Sequence, residues 1–95
     1  MGRNFVVVLV PQRSGGWCAH FPDVPGCRAM GDSIERAIAN SCREVVAKLE
    51  RMHDVPIPRS EAEIRADRAW AYMRGINWSI AQTRRVEVAA DDPAI

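Results

Sequence analysis

The sequence predicts an α+β domain in which a four-stranded sheet carries a long helix on one face. Three observations lead to this fold class. Residues 5–10 form a short β-branched run that ends at Pro11. Residues 15–27 contain a turn-rich segment between two further short strand patterns, and residues 34–52 repeat apolar side chains at helical spacing. The predicted order is β-β-β-α-α-β, in a single domain that spans residues 1–95.

The first strand, Phe5 to Val10, is apolar on both faces, which is typical of a central strand covered on both sides. Trp17 to Phe21 is predicted to pair with it antiparallel, and Cys27 to Met30 to follow as a third strand. Pro25-Gly26 suits the centre of a type II turn, because proline fixes a negative φ and glycine tolerates a positive one.

Two helix starts are visible as capping boxes. Asp32 is predicted to be the N-cap of the long helix, with Glu35 three residues later, and this helix should run for about 20 residues to His53-Asp54. Residues 60–63, Ser-Glu-Ala-Glu, form a second capping box. The helix that follows is expected to end at Gly75, a residue suited to the position after a helix.

The last strand is predicted over Trp78 to Val88, with a bulge at Arg84-Arg85 where the alternation breaks. Placed beside the first strand and parallel to it, through a right-handed crossover, it gives a mixed sheet of order 3-2-1-4. The second helix is short and can leave the other face of the sheet without cover, so a partner chain over that face is a hypothesis. Residues 91–95 are predicted to be a frayed tail.

Composition excludes several classes of protein. A hydrophobic content of 47% argues against disorder, and a net charge of +1 provides no overall field that would attract nucleic acid or an anionic membrane. Three cysteines, Cys18, Cys27 and Cys42, give no disulfide framework and indicate reduced thiols. The apolar run 5–10 is too short for a signal peptide or a membrane span, so we expect a cytoplasmic protein.

Cys18 and His20 share one strand face and Cys27 lies on the neighbouring strand, which raises zinc binding or a cysteine nucleophile as hypotheses. Structural zinc normally has four ligands in tighter pairs, and a cysteine–histidine pair needs an orienting group that we do not find. A two-metal nuclease needs converging carboxylates, and the first strand contains none. We therefore predict no enzymatic activity, no metal and no cofactor.

Aromatic side chains near arginines raise a further hypothesis, contact with RNA. Arg65, Arg68 and Arg74 flank Trp70, and bases stack on aromatic side chains when a basic stripe surrounds them. We favour a core position for Phe21 and half-buried or interface positions for the tryptophans. The aromatic set is Trp17, Phe21, Trp70, Tyr72 and Trp78.

The segment from Gly16 to Ala37, which reads GWCAHFPDVPGCRAMG and then DSIERA, resembles the hallmark of the HicB-type antitoxin family. Pro56-Ile57-Pro58 and the final Val86-Glu87-Val88 are similar to that family as well. The resemblance covers almost the whole chain, and its central motif is the most specific part. It implies a partial RNase H-like fold, β-β-β-α-β with an extra short helix.

The resemblance also implies the antitoxin role of a type II toxin–antitoxin system. Such a protein binds a small HicA-like toxin that cleaves mRNA, masks the toxin's active site and forms a dimer or a higher homo-oligomer. On that basis we expect Trp17, His20, Asp23 and Asp32 to contribute to partner binding.

Many members of that family carry a C-terminal DNA-binding domain. We expect none here, because only seven residues follow Val88, so direct DNA binding is not expected of this chain. A mask for a basic RNA-binding toxin should be acidic, whereas the charges here nearly cancel. The alternative reading is a solitary oligomeric or ligand-binding HicB-like module without a toxin partner.

Overall fold

The computed structural model describes residues 3–88 as an α+β structure with one four-stranded sheet. Its strand order, β3-β2-β1-β4, and the packing of the long helix on one face confirm the predicted fold class. The predicted tail 91–95 lies outside the described residues. The elements are β1 (Arg3–Pro11), β2 (Trp17–His20), β3 (Arg28–Gly31), α1 (Ile34–Leu49), α2 (Glu61–Ala66), α3 (Arg68–Arg74) and β4 (Gln82–Val88).

The direction of β4 corrects the prediction of a mixed sheet. β4 runs antiparallel to β1, with Arg3 opposite Val88 and Leu9 opposite Gln82, so all three strand pairs are antiparallel. The prediction assumed one crossing of the sheet between β3 and β4, which would give a parallel strand. The chain crosses twice, because α1 runs along one face and the α2–α3 segment returns along the other.

β1 belongs to two separate hydrophobic cores, one on each face of the sheet. The side chains of residues 5, 7 and 9 pack toward α1, whereas those of residues 6 and 8 pack against Ile64 of α2. The prediction of a central strand covered on both faces is therefore confirmed. The hypothesis of a partner chain is not needed to cover the second face, since this chain covers it with Ile64, Val10, Trp70, Ile76, Trp78 and Ala81.

The ends of α1 differ from the prediction. Ser33, not Asp32, is the N-cap, because the Ser33 hydroxyl accepts a hydrogen bond from the Arg36 amide at 3.1 Å. Glu35 is then one residue too early to form a reciprocal box. The helix ends at Leu49, and beyond Glu50 the amides of Arg51 and Met52 donate to carbonyl groups only three residues back.

The predicted second helix is two short helices that meet at Asp67. The capping box of Ser60 and Glu63 is present, and Gly75 ends α3 with a positive φ of 65°. Asp67 has a non-helical ψ of 80° and its carboxylate accepts the Trp70 amide, so it ends one helix and begins the next. None of the helices in residues 3–88 is long and apolar enough to cross a membrane.

β4 is shorter than predicted and has no bulge. Residues 78–80 form a turn, so the strand begins at Gln82, and its register with β1 is unbroken through Arg84 and Arg85. These two arginines point to opposite faces of the sheet, and both are exposed. An edge strand tolerates charges on either face, which is why the apolar alternation fails without any defect in pairing.

Gly31 fixes the distance between β3 and the first turn of α1. A Cβ atom at this position would lie 2.7 Å from the carbonyl carbon of Arg36 and would also collide with the Ala37 amide. Neither backbone atom has room to move, because Ala37 is fully buried. The glycine before the helix is therefore required by close packing, although its own φ is not positive.

We expect Gly31→Ala to lower the free energy of unfolding by about 3 kcal/mol, because the added methyl group overpacks a backbone contact. Gly75→Ala is the matched control, since Gly75 has a positive φ but nothing within 4 Å of the added Cβ atom. This control should lose only about 1–2 kcal/mol. Urea denaturation measures the free energy of unfolding of both variants. Equal losses of free energy in the two variants would contradict the role given to Gly31.

Candidate functional site

The segment Phe21–Cys27 between β2 and β3 is a closed double turn. The Val24 amide donates to the Phe21 carbonyl at 3.0 Å, and the Cys27 amide donates to the Val24 carbonyl at 3.1 Å. The Phe21 amide donates to the Cys27 carbonyl and closes the loop. Gly26 has a φ of 87°, which confirms the predicted turn at Pro25-Gly26.

Asp23 binds Arg59 from inside this double turn. The Asp23 side chain is only 5% exposed, and its two oxygens accept hydrogen bonds from Arg59 Nε at 2.5 Å and from the Arg59 amide at 2.7 Å. Arg59 Nη1 also donates to the Asp67 carboxylate at 3.0 Å. The hydrogen bond to Asp23 is the main cause that raises the pKa of Arg59. One arginine thus joins the double turn to the chain segments that begin α2 and α3.

The same turn is held from the other side of the sheet by α1. Lys48 Nζ donates to the Pro25 carbonyl at 2.6 Å, so the end of α1 contacts the turn. The chain then passes from the core under α1 to the core that contains Ile64. The double turn therefore lies where the chain changes faces, and side chains from both faces hold it.

His20, the last residue of β2, lies beside the double turn and beneath Trp70. The imidazole and indole rings meet edge to face, with centroids 6.2 Å apart and an interplanar angle of 86°. His20 is 7% exposed. Burial, followed by the positive charges of Arg28 and Arg74, lowers the pKa of His20 to about 4. The imidazole is therefore neutral at physiological pH.

A small cleft of about 80 Å³ opens beside His20, and we call it the His20 cleft. Its walls come from the double turn, from α3 and from the first residue of β3. Two arginines line it, Arg28 of β3 and Arg74 of α3. The lining contains no carboxylate, so the cleft is electropositive although the whole chain is nearly neutral.

An aromatic row continues from the cleft along the second face of the sheet. Trp70 lies 6.4 Å from Trp78, and the guanidinium of Arg65 lies 4.5 Å above the Trp78 ring. Phe21 is buried in the core on the opposite face, and the tryptophans are half-buried, as predicted. The aromatic side chains are therefore divided between the two faces, and contact of Trp70 with RNA stays a prediction.

The candidate zinc ligands are separated by the sheet. Cys18 and His20 share a face, as predicted, but Cys27 precedes β3 and packs in the core under α1. Among residues 3–88 no three histidine, cysteine or acidic side chains are grouped closely enough to hold a metal ion. Burial raises the pKa of the thiols of Cys18, Cys27 and Cys42, which keeps them protonated rather than nucleophilic.

The four residues predicted to bind a partner occupy three different places. His20 ends β2 and Asp23 lies in the double turn that follows, Trp17 is half-buried against the core under α1, and only Asp32 is exposed. Asp32 lines a wide groove between the β1–β2 turn and the start of α1, with Met30, Arg36 and Asn40. The role of these four residues in partner binding stays a prediction. Both carboxylate oxygens of Asp23 accept hydrogen bonds from Arg59 within the chain.

Arg59 was not identified from the sequence. An aspartate within an apolar turn indicates that some cation must compensate its charge, because an unpaired buried carboxylate is costly. Thirteen lysines and arginines were available, and 36 residues separate Asp23 from Arg59. The cleft arginines were missed for the same reason, since Arg28 and Arg74 meet only through the folding of β3 and α3 around His20.

Asp23→Asn should lower the free energy of unfolding by about 2–3 kcal/mol, because the asparagine side chain has one acceptor oxygen for the two Arg59 donors that the buried Asp23 carboxylate now accepts. Glu61→Gln is the matched control, since it removes one charge from the exposed Glu61–Arg65 pair. We expect that control to lose about 0.5 kcal/mol. Thermal and urea denaturation compare the two, and similar losses would show that Asp23–Arg59 is not a structural pair.

The protonation of His20 should weaken the fold at low pH. Its pKa in the folded state lies below the ordinary value of 6.5, so the unfolded chain binds this proton more tightly. The stability that the fold gains from keeping this imidazole neutral is fully present above about pH 6.5. It declines as the pH falls and is lost by about pH 4. His20→Gln should therefore show a shallower loss of stability over that interval.

The ring signals of His20 in proton NMR provide the direct measurement. His53→Gln leaves His20 as the one histidine of the chain and so assigns its signal. A titration midpoint near 4 is expected for that signal. A midpoint at or above 6.5 would show that the imidazole is not held in a buried, electropositive site.

Comparison with known proteins places the chain in a family. No family model matches it, and no solved structure matches it. UPF0150 protein ssr1765 of Synechocystis sp. is 30% identical over 60 residues, which are 61% of this chain and 76% of that protein. UPF0150 protein ssl0259 of the same organism is 29% identical over 63 residues, which are 64% of this chain and 86% of that protein. The chain belongs to the UPF0150 family.

Proposed function

We propose that this protein is a cytoplasmic, antitoxin-type binding module that neutralises a small mRNA-cleaving toxin by covering its active site. The resemblance of residues 16–37 to the HicB-type hallmark supports the proposal, and the double turn in that segment is a well-bonded structural unit. The names of the two UPF0150 relatives state no activity. The proposal includes a homo-oligomer, as is usual for antitoxins of this type.

The observation that carries the proposal is a pair of exposed apolar side chains on α3. Tyr72 is 89% exposed and Met73 is 77% exposed, whereas their neighbours Trp70 and Ala71 pack inward. Tyrosine and methionine are enriched in protein interfaces, and side chains on an anchored helix lose little freedom on binding. The helix therefore presents a ready contact for another protein.

The charges of the α2–α3 segment are balanced around this apolar pair. Three carboxylates between residues 61 and 74 are offset by three arginines, and the set is Glu61, Glu63, Asp67, Arg65, Arg68 and Arg74. The exposed apolar side chains, and not a net negative charge, would therefore supply the contact with a toxin. Inhibition would be steric, because a toxin whose RNA-binding surface is covered cannot admit mRNA.

Co-expression tests the proposal. We expect the product of the small open reading frame beside this gene to arrest growth when expressed alone, and simultaneous expression of this protein to restore growth. If that product is harmless, or if its toxicity persists, the antitoxin function is wrong and the solitary oligomeric or ligand-binding module becomes the better description. Sedimentation of the purified protein tests the oligomer separately, and a monomer at micromolar concentration would remove it.

A double variant tests the surface on α3. Tyr72→Asp with Met73→Asp should abolish growth rescue and weaken toxin binding by about 30-fold or more, since interface anchors often contribute this much. The fold should survive, because both side chains are largely exposed. Ala39→Asp, at an exposed position in α1, is the matched control. Full rescue by the double variant would exclude α3 from the interface.

A further inference from the structure

The His20 cleft contains a buried polar group without a partner. Within residues 3–88 the imidazole of His20 forms no hydrogen bond, although only 7% of this residue is exposed. No side-chain nitrogen in the described part of the chain is both sealed from solvent and unsatisfied, so the ring nitrogens of His20 reach the cleft. A buried imidazole that faces a cleft is available to a ligand.

Two arginines line the same cleft, and the positive charges of both act on His20. The ion pairs found among residues 3–88 use Arg59 and Arg65, so Arg28 and Arg74 are not committed to a carboxylate there. They come from β3 and α3, which converge on His20 from different directions. Because like charges repel, placing two arginines around one small cleft is favourable when an anion lies between them.

We propose that the His20 cleft binds a phosphate group, either as inorganic phosphate or as the end of a phosphate monoester. A tetrahedral oxyanion suits donors that converge from several elements, and arginine binds phosphate through strong charge-assisted hydrogen bonds. The neutral imidazole of His20 supplies one further N–H donor. Trp70 forms an apolar wall that limits access of water to these bonds.

The size of the cleft restricts the ligand. Its volume of about 80 Å³ is enough for several water molecules, so a phosphate group fits inside it. The remainder of a larger ester would lie outside, over the exposed side chain of Arg74. This binding site does not depend on the proposed toxin-binding function, whose contacts are assigned to Tyr72 and Met73.

Titration of the whole chain with inorganic phosphate, followed by NMR, tests the site. We expect saturable shifts of the His20 ring signals and the Trp70 indole signal at millimolar phosphate, and no such shifts with chloride at equal ionic strength. Arg28→Gln and Arg74→Gln should each weaken the affinity by about tenfold. Arg68→Gln is the matched control, since Arg68 is exposed on the same helix but does not line the cleft.

Three outcomes would overturn the proposal: linear shifts without saturation, unchanged affinity in both cleft variants, or tighter binding of acetate than of phosphate.

Titration with adenosine monophosphate and with glycerol phosphate identifies the source of the phosphate group. Tighter binding of either ester than of inorganic phosphate assigns the site to an ester end, and the reverse order assigns it to the free ion. Because Arg28 and Arg74 are exposed, the variants should fold, and their amide spectra verify this.

Discussion

The ion pair between Asp23 and Arg59 is the constraint on which the rest of the molecule depends. It closes the point at which the chain leaves the core under α1 and begins to cover the opposite face. Arg59 is followed at once by the N-cap of α2, and its second carboxylate partner, Asp67, is the N-cap of α3. Misplacement of this one guanidinium would displace both short helices together.

The consequences extend to the sheet and to the cleft. With α2 and α3 fixed, Ile64 covers the second face of β1 and Trp70 lies over His20. The returning segment also delivers the chain to the end of β1 where Gln82 pairs with Leu9, which sets the antiparallel direction of β4. Fold and candidate site therefore share one origin, a charged contact between segments that are 36 residues apart.

Local chemistry made much of the fold predictable. The apolar run in β1, the Pro25-Gly26 turn, the Ser60–Glu63 capping box and the end of α3 at Gly75 each follow from residues close together in the chain. The N-cap was misassigned because Asp32 and Ser33 are both good caps and only the backbone geometry selects between them. The direction of β4 and the identity of the partner of Asp23 depend on distant contacts, which periodicity does not encode.

The candidate site was predictable only in part, for the same reason. His20 and Asp23 attracted attention because they belong to a specific motif, but their burial and their neighbours come from α3 and the segment before α2. The exposed apolar pair on α3 was not recognised, because a helical pattern that assigns Trp70 and Ala71 to the core gives no measure of how far Tyr72 and Met73 protrude. Surface roles require the packed structure, whereas core roles often need only the pattern.

The pairing of Arg3 with Val88 has a consequence for the connectivity of the molecule. The two residues are neighbours across the sheet, so a domain fused before β1 and one fused after β4 would emerge side by side, at the end of the sheet that carries the double turn. A short linker could join these positions, and new ends could be opened in the exposed β1–β2 turn at residues 13–15. The architecture is thus suited to circular permutation, with the order of strands in space unchanged while their order along the chain is rewritten.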